Sequence, residues 1–315
     1  MENIWFYDFA FNPLLIVHDV ASVNWKIMWN DIGTFEMHLP IRKDVITMLN
    51  EHPYIVALQG EKQAIITGWQ LKDECTLYGR TCNWLLTRRV TPACEEVTDT
   101  AENLVRSFVA QAFGDVTEFV LEEAQGILAE VCFGLRYDQS TFDAVQSCLE
   151  QGNLGHRLWF DVSGKRWVFQ VIPGTEKKLI LSESNRTAHE SAYEEDILNY
   201  YSGGWYQAQQ EGDDAVETVR TYLDGGEAKM GIYKWDCVLG GDTEATAEKE
   251  LKEKKRNQTV TALMRGIVFG RDYAPGDWFS VELDKGGVQR KETKKVLGVY
   301  LWYETEGSGE EPILD

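Results

Sequence analysis

The side chains of this 315-residue sequence best suited to binding metals or acting as nucleophiles are few: five histidines and six cysteines. His18, His38, His52, His156 and His189 stand far apart. None belongs to an H-E-x-x-H arrangement, whose spacing sets two imidazoles on one helix face to hold zinc. Cys75, Cys82, Cys94, Cys132, Cys148 and Cys237 form no C-x-x-C pair and lie in no recognisable nucleophile context. No G-x-S-x-G elbow is present to lift a serine out of a strand for acyl transfer. Carboxylates are abundant. Glu95-Glu96 and Glu122-Glu123 are candidates for glycoside hydrolysis, with eleven tryptophans available to stack on sugar rings. Glycosidase carboxylates face each other through tertiary geometry, however, so neighbours in sequence read as a solvated acidic face. Most of the tryptophans read as core, at inward strand positions. Asp213 and Asp214 lack the alternating oxygen ligands and closing glutamate of a calcium loop, and read as a hairpin tip. The pairs Gly203-Gly204, Gly225-Gly226, Gly240-Gly241 and Gly286-Gly287 never precede Lys-Ser or Lys-Thr, and read as hairpin turns, not phosphate cradles. The expectation is a protein that is not an enzyme, with no catalytic, cofactor-binding or metal-binding residues.

Charge and composition narrow the classes further. A formal net charge of -20 argues against a grip on nucleic acid, because that affinity comes from lysines and arginines displacing counterions. The length allows two domains or more, and a hydrophobic share of 43% is ordinary for chains that bury real cores. No run of about 18 apolar residues is present, so no transmembrane helix and no stable membrane anchor are expected. The opening MENIWFYDFAFNPLLIVHDV carries acids where a secretory leader carries bases, and reads as the first strands. Scattered, unpaired cysteines suit reduced thiols and folding in a cytoplasm.

The elements that must position these residues begin with Trp25 to Pro40, WKIMWNDIGTFEMHLP. Apolar side chains recur at every second position, Ile27 and Trp29 before a turn at Asn30, Asp31 and Gly33, then Phe35, Met37 and Leu39. That is a hairpin with one buried face, ended by a proline. Around it, Ile4 to Phe9, Leu14 to Asp19, Tyr54 to Gln59, Gln63 to Leu71 and Glu74 to Tyr78 read as further strands, with one helix at Asp44 to Asn50. Trp84, Leu85 and Leu86 suit a brief helical or edge segment. From Thr100 to Phe113 the apolar residues fall on a helical stripe ended by Gly114. Ser140 to Gln151 repeats the pattern, with Ser140 as N-cap and Asp143 at the capping-box position. Arg157 to Val162 and Arg166 to Ile172 flank a Ser163-Gly164 turn. Farther on, Glu194, Glu195 and Asp196 read as an acidic loop beside aromatic strands containing Tyr200, Tyr201, Trp205 and Tyr206. Val216 to Leu223 is a strand, Thr243 to Gln258 a charged helix with acids first and bases last, and Tyr273 to Asp277 a turn between strands at Val260 to Phe269 and Trp278 to Leu283. Lys294 to Glu304 is the last strand, and EGSGEEPILD an exposed tail.

Two of these stretches carry a family resemblance. A tryptophan, then G-x-F-x-hydrophobic-x-L-P ending at Pro40, then G-R-x-x-x-x-L-L-x-R-R from Gly79, resembles the opening domain of siphophage tail hub proteins. Those proteins are related to the amino-terminal part of tail-associated lysins and to the baseplate hubs of contractile-tailed phages. Y-x-P-G-D-x-hydrophobic-x-V at Tyr273 to Val281, after a charged helix and a strand, is similar to the family's second barrel. The resemblance implies an α+β, mainly β chain with two tube-like β-barrels bracketing an α/β domain: residues 1–92, 93–190 and 191–315, the last with the charged helix at 243–258 and the tail.

It also implies a structural hub at the tail tip of a phage or prophage, which caps the tail tube and forms part of the DNA conduit. The implied hub is a homotrimer whose six barrels make a pseudo-sixfold ring against the tail tube or distal tail protein, with the tape measure protein as a further partner. DNA would pass through an acidic lumen without sequence-specific binding. The implied location is the virion tail tip, after assembly in the host cytoplasm. Many relatives continue into a lytic or receptor-binding region, whereas this sequence stops at Asp315 soon after the second barrel, so lytic activity is not expected. Arg80, Arg88 and Arg89 match the family's basic positions, for which buried pairing or a ring interface is expected. The competing readings are a carbohydrate-binding protein of the host-recognition apparatus, which exposed tryptophans around Trp205 or Trp235 would favour, and a glycan hydrolase.

Overall fold

The computed structural model describes residues 3–209, 216–223, 225–241 and 244–315. Asp213 and Asp214, and the hairpin tip expected there, lie outside the described residues. Alternation of burial builds the first sheet. The strands β1 (Ile4–Asp8), β2 (Pro13–Val17), β3 (Ser22–Met28) and β4 (Thr34–Leu39) precede the helix α1 (Lys43–Glu51), and β5 (Ile55–Gln59), β6 (Lys62–Leu71) and β7 (Cys75–Thr81) follow it. Val23, Trp25, Phe35, Met37, Leu39 and Leu77 are buried, while Asn24, Glu36, His38 and Tyr78 take the alternate face. Each element expected from the pattern up to residue 81 is present.

A 3-10 turn at Cys82–Arg88 leads into β8 (Val90–Thr91), β9 (Cys94–Thr100) and the helix α2 (Ala101–Phe113). Next come β10 (Phe119–Leu121), β11 (Glu130–Leu135), β12 (Gln139–Ser140), α3 (Thr141–Gln151), β13 (Leu154–Asp161), β14 (Arg166–Pro173) and β15 (Glu176–Leu181). The Thr100 hydroxyl accepts a hydrogen bond from the Asn103 amide at 3.3 Å, and that of Ser140 accepts one from Asp143 at 3.1 Å, so both helices start at side-chain caps. Their apolar stripes bury Val105, Phe108, Val109, Phe142, Val145 and Leu149 against Phe160, Trp167 and Phe169 of β13 and β14. Val56, Ile65, Cys82 and Leu86 belong to the same cluster, so the helices and the first sheet share one core.

The second half contains β16 (Ala188–Asp196), β17 (Gly203–Gln209), β18 (Val216–Tyr222), β19 (Asp236–Val238), the helix α4 (Glu244–Glu253) and β20 (Asn257–Met264). Then come β21 (Trp278–Lys285), β22 (Val288–Glu304) and β23 (Gly307–Leu314). The fold is mainly β, as expected. Its strands are distributed differently. One 11-stranded sheet runs β15-β21-β22-β3-β4-β7-β6-β5-β1-β2, with β23 paired to β22. β22 pairs antiparallel with β3, from Gly298 opposite Met28 to Glu304 opposite Ser22. The carboxyl-terminal strands therefore extend the amino-terminal sheet, and closure into a barrel is not detected among the described residues. Among the described residues no pairing joins β2 to β15, so the sheet order is an open path.

Boundaries at 92 and 190 do not coincide with the compact units. One unit is Met1–Thr187 with Met264–Ser280 and Thr293–Asp315; the other is Ala188–Leu263 with Val281–Glu292. In the second, Tyr206, Leu239, Ala247 and Leu251 form a small buried cluster between α4 and one face of the sheet β18-β17-β19. Several local expectations are corrected. The expected tail is the strand β23, held to β22 from Gly307 opposite Glu304 to Leu314 opposite Val296. Glu194, Glu195 and Asp196 end the strand β16 instead of lying in a loop. Gly203 and Gly204 begin β17, where a β-carbon on Gly204 would come within 2.4 Å of Leu239. The described charged helix ends at Glu253, since Asn257 opens β20. Only Trp25, Trp29 and Trp167 of the eleven tryptophans are fully buried, and Trp5, Trp69, Trp205 and Trp235 are exposed.

Candidate functional site

The hairpin that organises the sequence also organises the first unit. Trp29 directly follows β3, its amide donating to the Leu297 carbonyl at 2.8 Å. Its ring occupies the space that side chains would need at two glycines. A β-carbon on Gly155 of β13 would stand 2.4 Å from the indole, and one on Gly276 would stand 2.2 Å from it. Gly276 also has φ +94°, a backbone region that side-chain-bearing residues avoid. The Tyr273-Ala274-Pro275-Gly276-Asp277 turn is closed by Asp277, whose carboxylate accepts from the Ala274 amide at 2.8 Å and pairs with Lys177 at 3.3 Å. Lys295 also lies over the Trp29 ring, 4.9 Å from its centre, and donates to Asn153 at 2.6 Å. Burial lowers the pKa of this amine, with Asp315 opposing the shift.

Beside Trp29, Asn30 joins the hairpin turn to α3 and β13. Its amide donates to the Gln146 carbonyl at 3.1 Å, the Gln146 side chain returns a bond to the Asn30 carbonyl at 2.9 Å, and its oxygen faces His156 Nδ1 at 2.8 Å. That arrangement places the proton on Nδ1. His156 is 1% exposed, lies 5.9 Å from both Phe142 and Phe169, and has no protein partner at Nε2. Burial pulls its pKa down to about 3, so the ring is neutral. Sequence reasoning did not find this network; only Asn30 in a turn and a lone histidine in a strand pointed toward it.

The other chemistry-bearing residues are dispersed. His38 sits between Glu36 at 2.8 Å and Glu74 at 2.6 Å. Partial burial opposes its protonation, and the two carboxylates outweigh it, so its pKa is raised. Burial pushes Cys82 and Cys148 up to about 12, which keeps them as thiols, while Cys94 and Cys132 are exposed. Among the described residues no group of three or more histidine, cysteine or acidic side chains is placed to hold a metal ion. Glu95 and Glu96 stand exposed on β9, and Glu123 is exposed in a loop. Arg80 and Arg88 are exposed rather than buried in ion pairs, with Arg88 stacked 4.6 Å from the Trp84 ring. Arg89, half-buried, pairs with Asp115 at 3.1 Å and covers Phe113.

In the second unit, the face of β18-β17-β19 turned away from α4 carries Trp205, Arg220, Tyr222, Asp236 and Val238. Arg220 lies 4.3 Å from the Tyr222 ring and is anchored to Asp236 at 2.5 Å, while the Trp205 indole donates to Asp236 at 3.1 Å. Trp205 and Tyr222 are about two-fifths exposed, at 38% and 41%. What these surfaces offer chemically is stacking and charge pairing, the means of recognition.

Residues 3–216, more than half of the sequence, match the family described as Siphovirus ReqiPepy6 Gp37-like protein. The chain belongs to this family. No curated protein matches it in sequence. Solved structures of tail proteins share the fold across nearly its whole length. The tail protein from Neisseria meningitidis MC58 is 16% identical, with a TM-score of 0.58 over 99% of this chain and 95% of that one. Prophage tail protein gp18 from Listeria monocytogenes EGD-e is 11% identical, with a TM-score of 0.57 over 99% and 94%. The 43 kDa tail protein of prophage MuSo2 from Shewanella oneidensis is 11% identical, with a TM-score of 0.56 over 100% and 98%. At these identities the likeness is one of fold. All three of these neighbours are described as tail proteins, two of them from prophages.

Proposed function

We propose that this siphovirus-family chain is the hub at the tip of a long tail, acting by assembly and not by catalysis. The observation that carries the proposal is the end-to-end fold match to tail proteins of nearly equal length, two of them from prophages. Three copies form a closed ring that caps the tail tube before infection and lines part of the DNA conduit afterwards, meeting the tube or distal tail protein on one side and the tape measure protein within. Its acidity suits a conduit, because carboxylates facing a lumen repel phosphate and let the genome slide. The chain assembles in the host cytoplasm and resides in the virion tail tip. Cryo-electron microscopy of particles from a strain carrying a tagged chain tests this. Threefold density at the tip containing the tag is expected, whereas particles without the chain, or with it along the tube, overturn the reading.

A second reading, glycan binding during host recognition, is favoured by the exposure of Trp205, Tyr222 and Trp235 on the second unit. It requires that host wall polysaccharide bind the purified chain and that Trp205→Ala abolish the binding. Wild-type binding that survives this substitution, or no binding at all, removes it.

A further inference from the structure

The second unit carries a cationic and apolar patch that is unusual in so acidic a chain. Residues 249–256, at the end of α4 and beyond it, hold five bases, Lys249, Lys252, Lys254, Lys255 and Arg256, against Glu250 and Glu253. Some of this charge is met locally: Lys252 by Glu248 at 3.4 Å, Lys254 by Glu250 at 3.7 Å and Arg256 by Glu195 at 3.6 Å. Lys255 and Arg256 remain exposed. The apolar part is continuous with them. Arg256 lies 5.6 Å from the Tyr200 ring, which meets Trp235 edge-on at 5.8 Å, and the Trp235 indole donates to the Ile232 carbonyl at 2.8 Å. Ile232 and Tyr233 are 83% and 74% exposed, close in sequence to Trp235, so the exposed apolar side chains are grouped and not scattered.

The first unit carries the opposite surface. The ribbon of β9 and β11 holds Glu95, Glu96, Asp99 and Glu130 and no lysine or arginine, and Cys94 to Thr98 are all exposed. Apolar side chains stand among the acids: Val97 on the ribbon, Leu128 just before it and Tyr137 just after it. Leu128 is 87% exposed.

We infer that the acidic β9–β11 ribbon of one copy of this chain docks on the Tyr200–Ile232–Trp235–Arg256 patch of a second copy. Charge complementarity with matching apolar anchors singles out a second copy over other occupants. Two different surfaces meet, so the contact is head-to-tail and closes into a ring when the rotation permits. The inference rests on the hub reading for the existence of a ring and adds its contact surfaces.

Cys94, exposed on the ribbon, gives a direct test in assembled tails. Particles carrying Lys255→Cys are treated with a short bismaleimide, with Cys94→Ser in the same background as control. Covalently joined chains that vanish with Cys94→Ser are expected. If several copies occupy the tip and none is linked through Cys94, the contact is wrong while the hub reading stands; a single copy per tip defeats both. Charge reversal gives an independent readout. Glu95→Lys with Glu96→Lys, or Lys255→Glu with Arg256→Glu, is expected to lower incorporation into tails about tenfold, and the combined variant to restore it. Unchanged incorporation in either reversal overturns the inference. So does binding of phosphatidylserine vesicles that Arg256→Glu removes, since the patch would then face a membrane.

Discussion

Replacing Gly276 by alanine would set a methyl group 2.2 Å from the Trp29 ring on a backbone held at φ +94°. Backbone strain and overpacking each cost about 1–3 kcal/mol, so a loss above ~2 kcal/mol is expected in denaturant unfolding. Gly307→Ala is the control, because nothing lies within 4 Å of its β-carbon position and the change should stay within about 0.5 kcal/mol. A loss from Gly276→Ala no larger than the control's would show that Trp29 is not wedged as described. Two histidines give the first unit opposite responses to pH. His156 is neutral in the fold, with its pKa pulled to about 3. As pH falls below the unfolded value near 6.5 the unfolded chain takes the proton first, so stability present above that value is lost, by up to about 1.4 kcal/mol per pH unit. His38 has a raised pKa, so its contribution is present below the unfolded value and lost as pH rises through the folded one. Unfolding in urea at pH 5, 6, 7 and 8 should show a shallower acid loss in His156→Gln and a smaller decline on the alkaline side in His38→Gln.

The helices α2 and α3 could be anticipated because their signals are local: an apolar stripe, a capping hydroxyl and a glycine after the last turn. Ser140→Ala is expected to cost about 1 kcal/mol in thermal or denaturant unfolding, since the Asp143 amide loses its acceptor; no loss would make that cap idle. Hydrogen exchange should divide the elements by core size. β17 to β19 and α4, resting on Tyr206, Leu239, Ala247 and Leu251, should exchange before β3, β4 and β7, and the reverse order would contradict that core's small size. The first seven strands were legible because one face is buried and the other is not, which leaves a period of two. β9 and β23 were not, because CEEVTDT and GSGEEPIL carry acids and glycines where strand signals are sought, and pairing with a neighbour holds them instead. The candidate site was less legible still. Trp29 was read as an inward residue, but its fit against Gly155 and Gly276 depends on approaches between distant parts of the chain, which leave no spacing to read.

For the whole molecule, the decisive feature is that β22 completes a sheet begun by β3. A fragment ending at residue 187 keeps the first seven strands but exposes the flank of β3 that β22 covers. Such a fragment is expected to aggregate or to melt without a cooperative transition. A soluble fragment with cooperative unfolding like that of the full chain would make the carboxyl-terminal strands dispensable.

The same pairing sets a timetable for synthesis. β3 leaves the ribosome long before β22 exists, and at about 5–20 residues per second the interval is roughly 15–50 s. Hairpins form in about 1–10 μs, so β4 can pair with β3 almost at once while its other side stays open for this whole period. During that time each nascent chain presents a strand edge to every other chain on the same message, an invitation to misassembly. The yield of native protein should therefore respond to translation speed over the last third of the message and to the crowding of ribosomes upon it.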